Sequence, residues 1–196
     1  NKKTKTIGIL LPNILTYYFA RVLRGIEKIT TEKGYNIITC ITNESYKKEV
    51  DTMEMLSNGT IDGFIACISE ETLKIGNFDH FKNVLEEGTP IVLYNRIDVD
   101  INCDKVATDS VKSAYKATRF LMRSQCKNIA LVSTSEGLEV SKSRVEGYLK
   151  ALTKYGVTPN ENLIIKQDDE INLIERINTM LDNNKVDGIF SVVIKI

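Results

Sequence analysis

The sequence predicts an α/β protein of the doubly wound type, in which helices cover the faces of a parallel sheet. Short β-branched or apolar runs recur along the whole chain, and amphipathic stretches with helical spacing separate them. In addition, "EKGYNIITC" is echoed by "TKYGVTPNENLII", and "TIDGFIACI" by "KVDGIFSVV", which suggests two similar α/β units in series.

The elements follow in order. A first strand is expected over 6–11, and a helix over 18–33, where Phe19, Val22, Leu23, Ile26 and Ile29 recur at helical spacing and Gly34 stands as the stop. That stripe is expected to pack on the sheet. Further strands are expected over 36–41, 63–67, 90–94 and 105–108, with "SNGTIDG" as the turn before the third. The charge runs "YKKEVD" and "KQDDE" read as solvated helix starts and loops, and His80 in "NFDHFKN" as a surface-loop residue. Val111, Ala114, Thr118 and Leu121 form a second stripe, with Asp109 and Ser110 as its cap. A strand over 128–133 comes next, then a stripe of Val145, Tyr148, Leu149 and Leu152, and a strand over 163–166. Ile171, Ile174, Ile177 and Leu181 make a last stripe before a strand over 188–192.

Composition excludes several function classes. The 196 residues carry 26 basic and 26 acidic side chains with 42% hydrophobic content, enough for one or two compact domains. No lysine or arginine cluster is interleaved with aromatics, so the chain is not expected to grip nucleic acid by itself. No apolar run reaches the roughly 18 residues of a membrane span, and the start resembles no signal peptide, which points to the cytoplasm. Cys40, Cys67, Cys103 and Cys126 lack metal-ligand spacing and read as reduced structural thiols. GxGxxG after the first strand, Walker A, GxSxG and HExxH are all missing, and His80 is the single histidine. The carboxylates Asp168 and Asp169 sit in a polar run with no burial to perturb them. No catalysis, cofactor or metal is expected.

Ligands of open α/β sheets bind beyond the carboxyl ends of the strands, where helix amino termini present free N–H groups. Asn13, Tyr17, Tyr18 and Phe19 follow the first strand and Asn95 and Arg96 the fourth. Asp109 and Ser110 follow the fifth, and Ser133, Thr134, Ser135 and Glu136 the sixth, with Arg144 early in the next helix. Aromatic rings cover the C–H face of a sugar, while amides, hydroxyls and an arginine bond its hydroxyls, so this is the chemistry of a polyol site. Each residue also has a structural reading: Phe19 begins the apolar stripe, Asn13 and Asn95 suit turns, and Arg144 suits a surface ion pair.

The segments "TIGILLPNILTYYFARVLRGIEKITTEKGYNIITCITNE", "EVDTMEMLSNGTIDGFI", "PIVLYNR", "VATDSVKSAYKATRFLMRSQCKNIALVS" and "SRVEGYLKAL", in this order, resemble the effector domain of the lac repressor/galactose repressor family of transcription regulators. The likeness covers about residues 4 to 190. It implies a type I periplasmic-binding-protein-like fold: two doubly wound parallel-sheet subdomains, 4–134 and 135–196, the second incomplete, facing each other across a sugar-sized cleft. The implied function is binding of a small sugar or related metabolite that controls operator binding by a homodimer. Operator DNA would be read by a helix-turn-helix head that this chain lacks, with "KKTK" resembling the linker after it. A periplasmic sugar-binding protein of a transport system is the alternative. The resemblance assigns ligand contact to Asn13, Tyr18, Phe19 and Asn95 from the first subdomain and Arg144, of the "RxxGY" motif, from the second. This sequence departs from the family in the Tyr17–Tyr18 pair, which replaces Asn-Pro, in "SQCKNIA", which replaces a glycine and histidine, and in Val193 and Ile194, which replace Asn-Asp.

Overall fold

In a computed structural model, which describes residues 3–134, 139–167 and 172–192, the chain divides into two compact units, 1–107 and 108–196. The first holds β1 (Thr6–Leu11), α1 (Tyr17–Glu32), β2 (Asn36–Ile41), α2 (Tyr46–Ser57), β3 (Gly63–Ala66), α3 (Glu70–Ile75), α4 (Asp79–Glu86), β4 (Ile91–Tyr94) and β5 (Asp104–Val106). Its five strands are all parallel, in the order β2-β1-β3-β4-β5.

Local chemistry marks the helix ends. Thr16 and Ser45 accept N–H bonds from Phe19 and Lys48 at the starts of α1 and α2. Gly34 takes a positive φ of 72° after α1, where a side chain would be strained. Alternation along the strands then sorts side chains to two faces. Ile9, Leu11 and Cys67 meet Phe19, Val22, Leu23 and Ile26 of α1 on one face. On the other, Leu10, Phe64, Ala66 and Leu93 meet Met53 and Leu56 of α2 and Phe81 and Val84 of α4. Ile29, expected in the α1 stripe, is 49% exposed, because it lies beyond the edge of the sheet-facing arc.

The second unit holds α5 (Ser110–Arg123), β6 (Ile129–Thr134), α6 (Glu139–Lys154), a 3-10 turn (Glu161–Leu163), β7 (Ile164–Gln167), α7 (Leu173–Asn183) and β8 (Gly188–Val192). Among the described residues its sheet has three parallel strands, β7-β6-β8. The boundary expected after residue 134 therefore lies elsewhere: β6 is the central strand of this sheet, and α5 packs along α6. The reason is pairing, since among the described residues β6 pairs with strands that come later in the chain, β7 and β8. Gly147 sets the α5–α6 approach, for a Cβ there would lie 2.8 Å from Ala114 Cβ and 2.9 Å from Tyr115 N.

Three other expectations are corrected. His80 is on α4 and buried, and Glu49, in the run read as solvated, is fully buried beside it. In α7 the core face is Leu173, Ile177 and Met180: of the expected stripe Ile177 packs there, whereas Ile174 is 74% exposed and Leu181 39%. Ile171, Asp168, Asp169, Ser135, Glu136, Val193 and Ile194 lie outside the described residues.

Candidate functional site

In the first sheet the crossovers from β1 lead to β2 on one side and, through β2, to β3 on the other, so the loops part at the carboxyl end of β1, where such folds take ligands. Pro12 is buried there and Asn13 half-buried, with its Oδ1 buried and without a hydrogen-bond partner among the described residues. Leaving a buried carbonyl oxygen unbonded costs about 1–3 kcal/mol, so the turn after β1 holds an acceptor that its described neighbours do not use. Tyr18 is 41% exposed and meets Phe19 edge-on at 5.2 Å between ring centroids. Phe19 in turn meets Tyr94 at 6.4 Å, and the Tyr94 hydroxyl donates to the Leu10 carbonyl at 3.4 Å. Phe19 is thus a core residue that supports Tyr18. Tyr17 faces solvent, with the Arg21 guanidinium 5.6 Å above its ring.

Asn95 follows β4 with φ at 69°, a left-handed conformation that asparagine tolerates. Its backbone N–H donates to Val106 at 3.0 Å and its side-chain amide to Cys67 Sγ at 3.8 Å, so turn formation explains part of its chemistry. Burial pushes the Cys67 thiol up to about 12. Native protein at pH 8 is therefore expected to leave Cys67 unalkylated by iodoacetamide under conditions that modify it fully in denaturant, as peptide mass spectrometry reads.

Beside Asn95, Arg96 forks onto both carboxyl oxygens of Glu44, at 2.6 and 2.9 Å, and donates to the Ile68 carbonyl at 2.7 Å. Glu44 also accepts the Glu70 N–H at 2.8 Å. One ion pair thereby ties the loops after β2, β3 and β4, as a planar guanidinium fork can. Below it Glu49 accepts the Ser69 N–H and the Thr72 hydroxyl, each at 2.6 Å, and stands 3.0 Å from His80 Nε2. Neither grouping was visible in the sequence, because the partners lie 20 to 52 residues apart and no local motif links them.

In the second unit Ser133 is buried at the end of β6, and Arg144 lies half-buried on α6, one turn ahead of Gly147 and Tyr148. The Tyr148 hydroxyl donates to the Ile129 carbonyl at 2.8 Å, pinning α6 on the sheet. A cavity of about 380 Å³ opens where β6 and β7 end, lined by Ser133, Ser141, Lys142, Val145, Leu149 and Lys166. A larger depression of about 580 Å³ runs along β7 and α7, between Glu161 and Asn162 on one side and Arg176, Thr179 and Met180 on the other. Asp109 caps α5 by accepting the Lys112 N–H at 2.8 Å, the structural role expected of it.

Of the five predicted contacts, Tyr18 and Phe19 touch, Asn13 and Asn95 follow β1 and β4 of the same sheet, and Arg144 belongs to the second unit. Chemically the set offers acceptors, an aromatic ring and a fixed cation, but no nucleophile beside a base. The single histidine is engaged with Glu49, and no group of three potential metal ligands occurs among the described residues.

The profile of "Periplasmic binding proteins and sugar binding domain of LacI family" matches residues 4–192. Catabolite control protein A of Priestia megaterium is 31% identical over 169 residues, covering 86% of this chain and 49% of that protein. The transcription regulator CcpA of Lactococcus lactis has a similar crystal structure, with TM-score 0.77 and 26% identity over 97% of this chain and 68% of that one. A periplasmic binding protein/LacI transcriptional regulator from Alkaliphilus metalliredigens, solved in complex with D-xylulofuranose, gives TM-score 0.73 and 26% identity over 95% of this chain and 66% of that one. The chain spans about half the length of the curated relatives it matches.

Proposed function

This chain belongs to the family of periplasmic binding proteins and LacI-type sugar-binding domains, and from that premise we propose that it senses a small sugar or related metabolite for a LacI-type transcriptional regulator. The observation that carries the reading is the Asn13 oxygen at the carboxyl end of β1, which has no hydrogen-bond partner among the described residues, together with the part-exposed Tyr18 in the first turn of the helix that follows. An amide acceptor and an aromatic face are what a sugar hydroxyl and its C–H surface require. The Alkaliphilus protein, solved in complex with D-xylulofuranose, supports the same class of ligand. In this reading Asn13, Tyr18 and Asn95 contact the sugar, Phe19 backs Tyr18, and Arg144 offers its guanidinium to neighbouring oxygens. Operator DNA is bound by a helix-turn-helix head carried elsewhere in the complete regulator, which works in the cytoplasm as a homodimer. Sugar changes operator affinity because it binds one arrangement of the protein better than the other.

A thermal-shift screen of the complete regulator against sugars and nucleosides finds the effector, since binding to the folded state raises the melting point. Calorimetry on Arg144→Ala with that effector is expected to show affinity weakened by about 2–4 kcal/mol, with the fold intact. Unchanged affinity removes Arg144 from the site, and a screen in which no sugar or nucleoside shifts the melting point overturns the reading itself.

A further inference from the structure

Both units anchor the entry of an interior strand, β1 or β6, with an aspartate. In the first, Asp62 Oδ1 accepts the N–H and the hydroxyl of Thr4 at 2.8 and 2.9 Å, and Oδ2 accepts the Lys5 N–H at 2.9 Å. Asp62 returns its own N–H to the Thr6 carbonyl at 2.7 Å, and the Lys5 carbonyl accepts from Asn36 at 2.8 Å. Lys5 itself has φ at 53°, left-handed backbone that costs a lysine on the order of 1 kcal/mol and persists only where the surroundings over-determine it. The Thr4 backbone hydrogen bond is the main reason that the Asp62 carboxyl lies below the usual carboxylate range.

The second unit repeats the device. Asp187 accepts the N–H groups of Lys127 and Asn128, each at 2.8 Å, and donates its own to the Asn128 carbonyl at 3.1 Å. What differs is the chain ahead. Lys127 follows shortly after α5, which is packed on α6 and already sets the direction of approach. Among the described residues Thr4 and Lys5 are held instead by the three bonds to Asp62 and by the Asn36 N–H on the Lys5 carbonyl.

We propose that Asp62 is a clamp fixing the heading at which the polypeptide enters the first sheet, a positioning residue that makes any segment carried ahead of Thr4 move with that sheet. Its use in regulation rests on the function proposed above: a DNA-reading head responds to the sheet only through a stiff joint. The joint itself is tested without sugar or DNA, so its failure is separate from failure of that reading.

The 196-residue chain and its Asp62→Ala, Asp62→Asn and Asp187→Ala variants are digested with trypsin well below their melting points. Cleavage after Lys5 is followed by mass spectrometry, and amide exchange at Thr4, Lys5 and Leu10 by NMR. Asp62→Ala is expected to speed Lys5 cleavage and Thr4 and Lys5 exchange at least tenfold while Leu10 stays protected. Asp62→Asn, which keeps one accepting oxygen, is expected to fall between, and it carries the same test if the alanine variant does not fold. Asp187→Ala, which breaks the matching clamp, is expected to leave Lys5 at the wild-type rate. Wild-type cleavage at Lys5 in the Asp62 variants, or equal acceleration in Asp187→Ala, overturns the proposal.

Discussion

Glu49→Ala is expected to destabilise the first unit by about 3–5 kcal/mol, the scale of removing one partner from a buried charged network. Three groups converge on that carboxyl: the Ser69 N–H, the Thr72 hydroxyl and His80 Nε2. All three residues are buried, so water cannot readily replace the lost acceptor. The His80 ring is also wedged against Tyr46, 5.5 Å away edge-on, and Phe81, 4.5 Å away, and cannot turn outward to solvent. Glu49→Gln keeps the shape and one oxygen but turns an amide donor toward other donors, and is expected to lose about half as much. Urea denaturation of the three proteins checks both values, and a loss below about 1 kcal/mol for the alanine variant would show that the donors find other partners.

Gly147→Val is expected to cost the second unit about 3 kcal/mol or more, the upper end of overpacking effects. Glycine inside a helix is itself unfavourable by roughly 0.5–1 kcal/mol, so its presence in α6 needs a reason. A Cβ there collides with the Val111 carbonyl oxygen and lies 2.9 Å from Tyr115 N, both backbone atoms of α5 that cannot swing aside as a flexible side chain does. Gly25, also helical, has nothing within 4 Å of its would-be Cβ, and Gly25→Ala is the control expected to be neutral or stabilising. Thermal unfolding followed by circular dichroism separates the two outcomes.

Strands and helix stops were legible because their signals are local: 6–11, 36–41 and 188–192 coincide with β1, β2 and β8, and Gly34 ends α1. Phase within α7 was not, since Ile174 and Leu181 are as apolar as Leu173 and Met180 and only packing chooses between the two faces. The unit boundary was misjudged for a related reason: which sheet β6 joins depends on β7 and β8, not on its own residues. Of the candidate site, the residues after β1 and β4 could be read from strand ends. The Glu44–Arg96 fork and the Glu49–His80 pair could not, because a charged residue in "TNESYKKE" looks the same whether water or a distant guanidinium solvates it. The echo of "TIDG" in "KVDG" was visible, and its cause is physical: Asp62 and Asp187 each accept backbone N–H groups just ahead of a strand, one residue apart in register, and the glycines after them, Gly63 and Gly188, pair with Ile7 of β1 and Ile129 of β6.

Parallel strands assemble slowly because each pairing must close a long loop, and the division of pairings between the two sheets bears on how the chain emerges from the ribosome. Every strand of the five-stranded sheet is made by Val106, and none of them pairs with a later residue among those described. Synthesis runs from the amino end, so the first sheet can close while β6, β7 and β8 are still untranslated. The nascent chain thus need not hold all eight described strands unpaired at once. That order keeps the run from Ile129 to Val132, buried on both faces of its sheet, from competing for β2 and β5, the edge strands among the described residues, before the first sheet has formed.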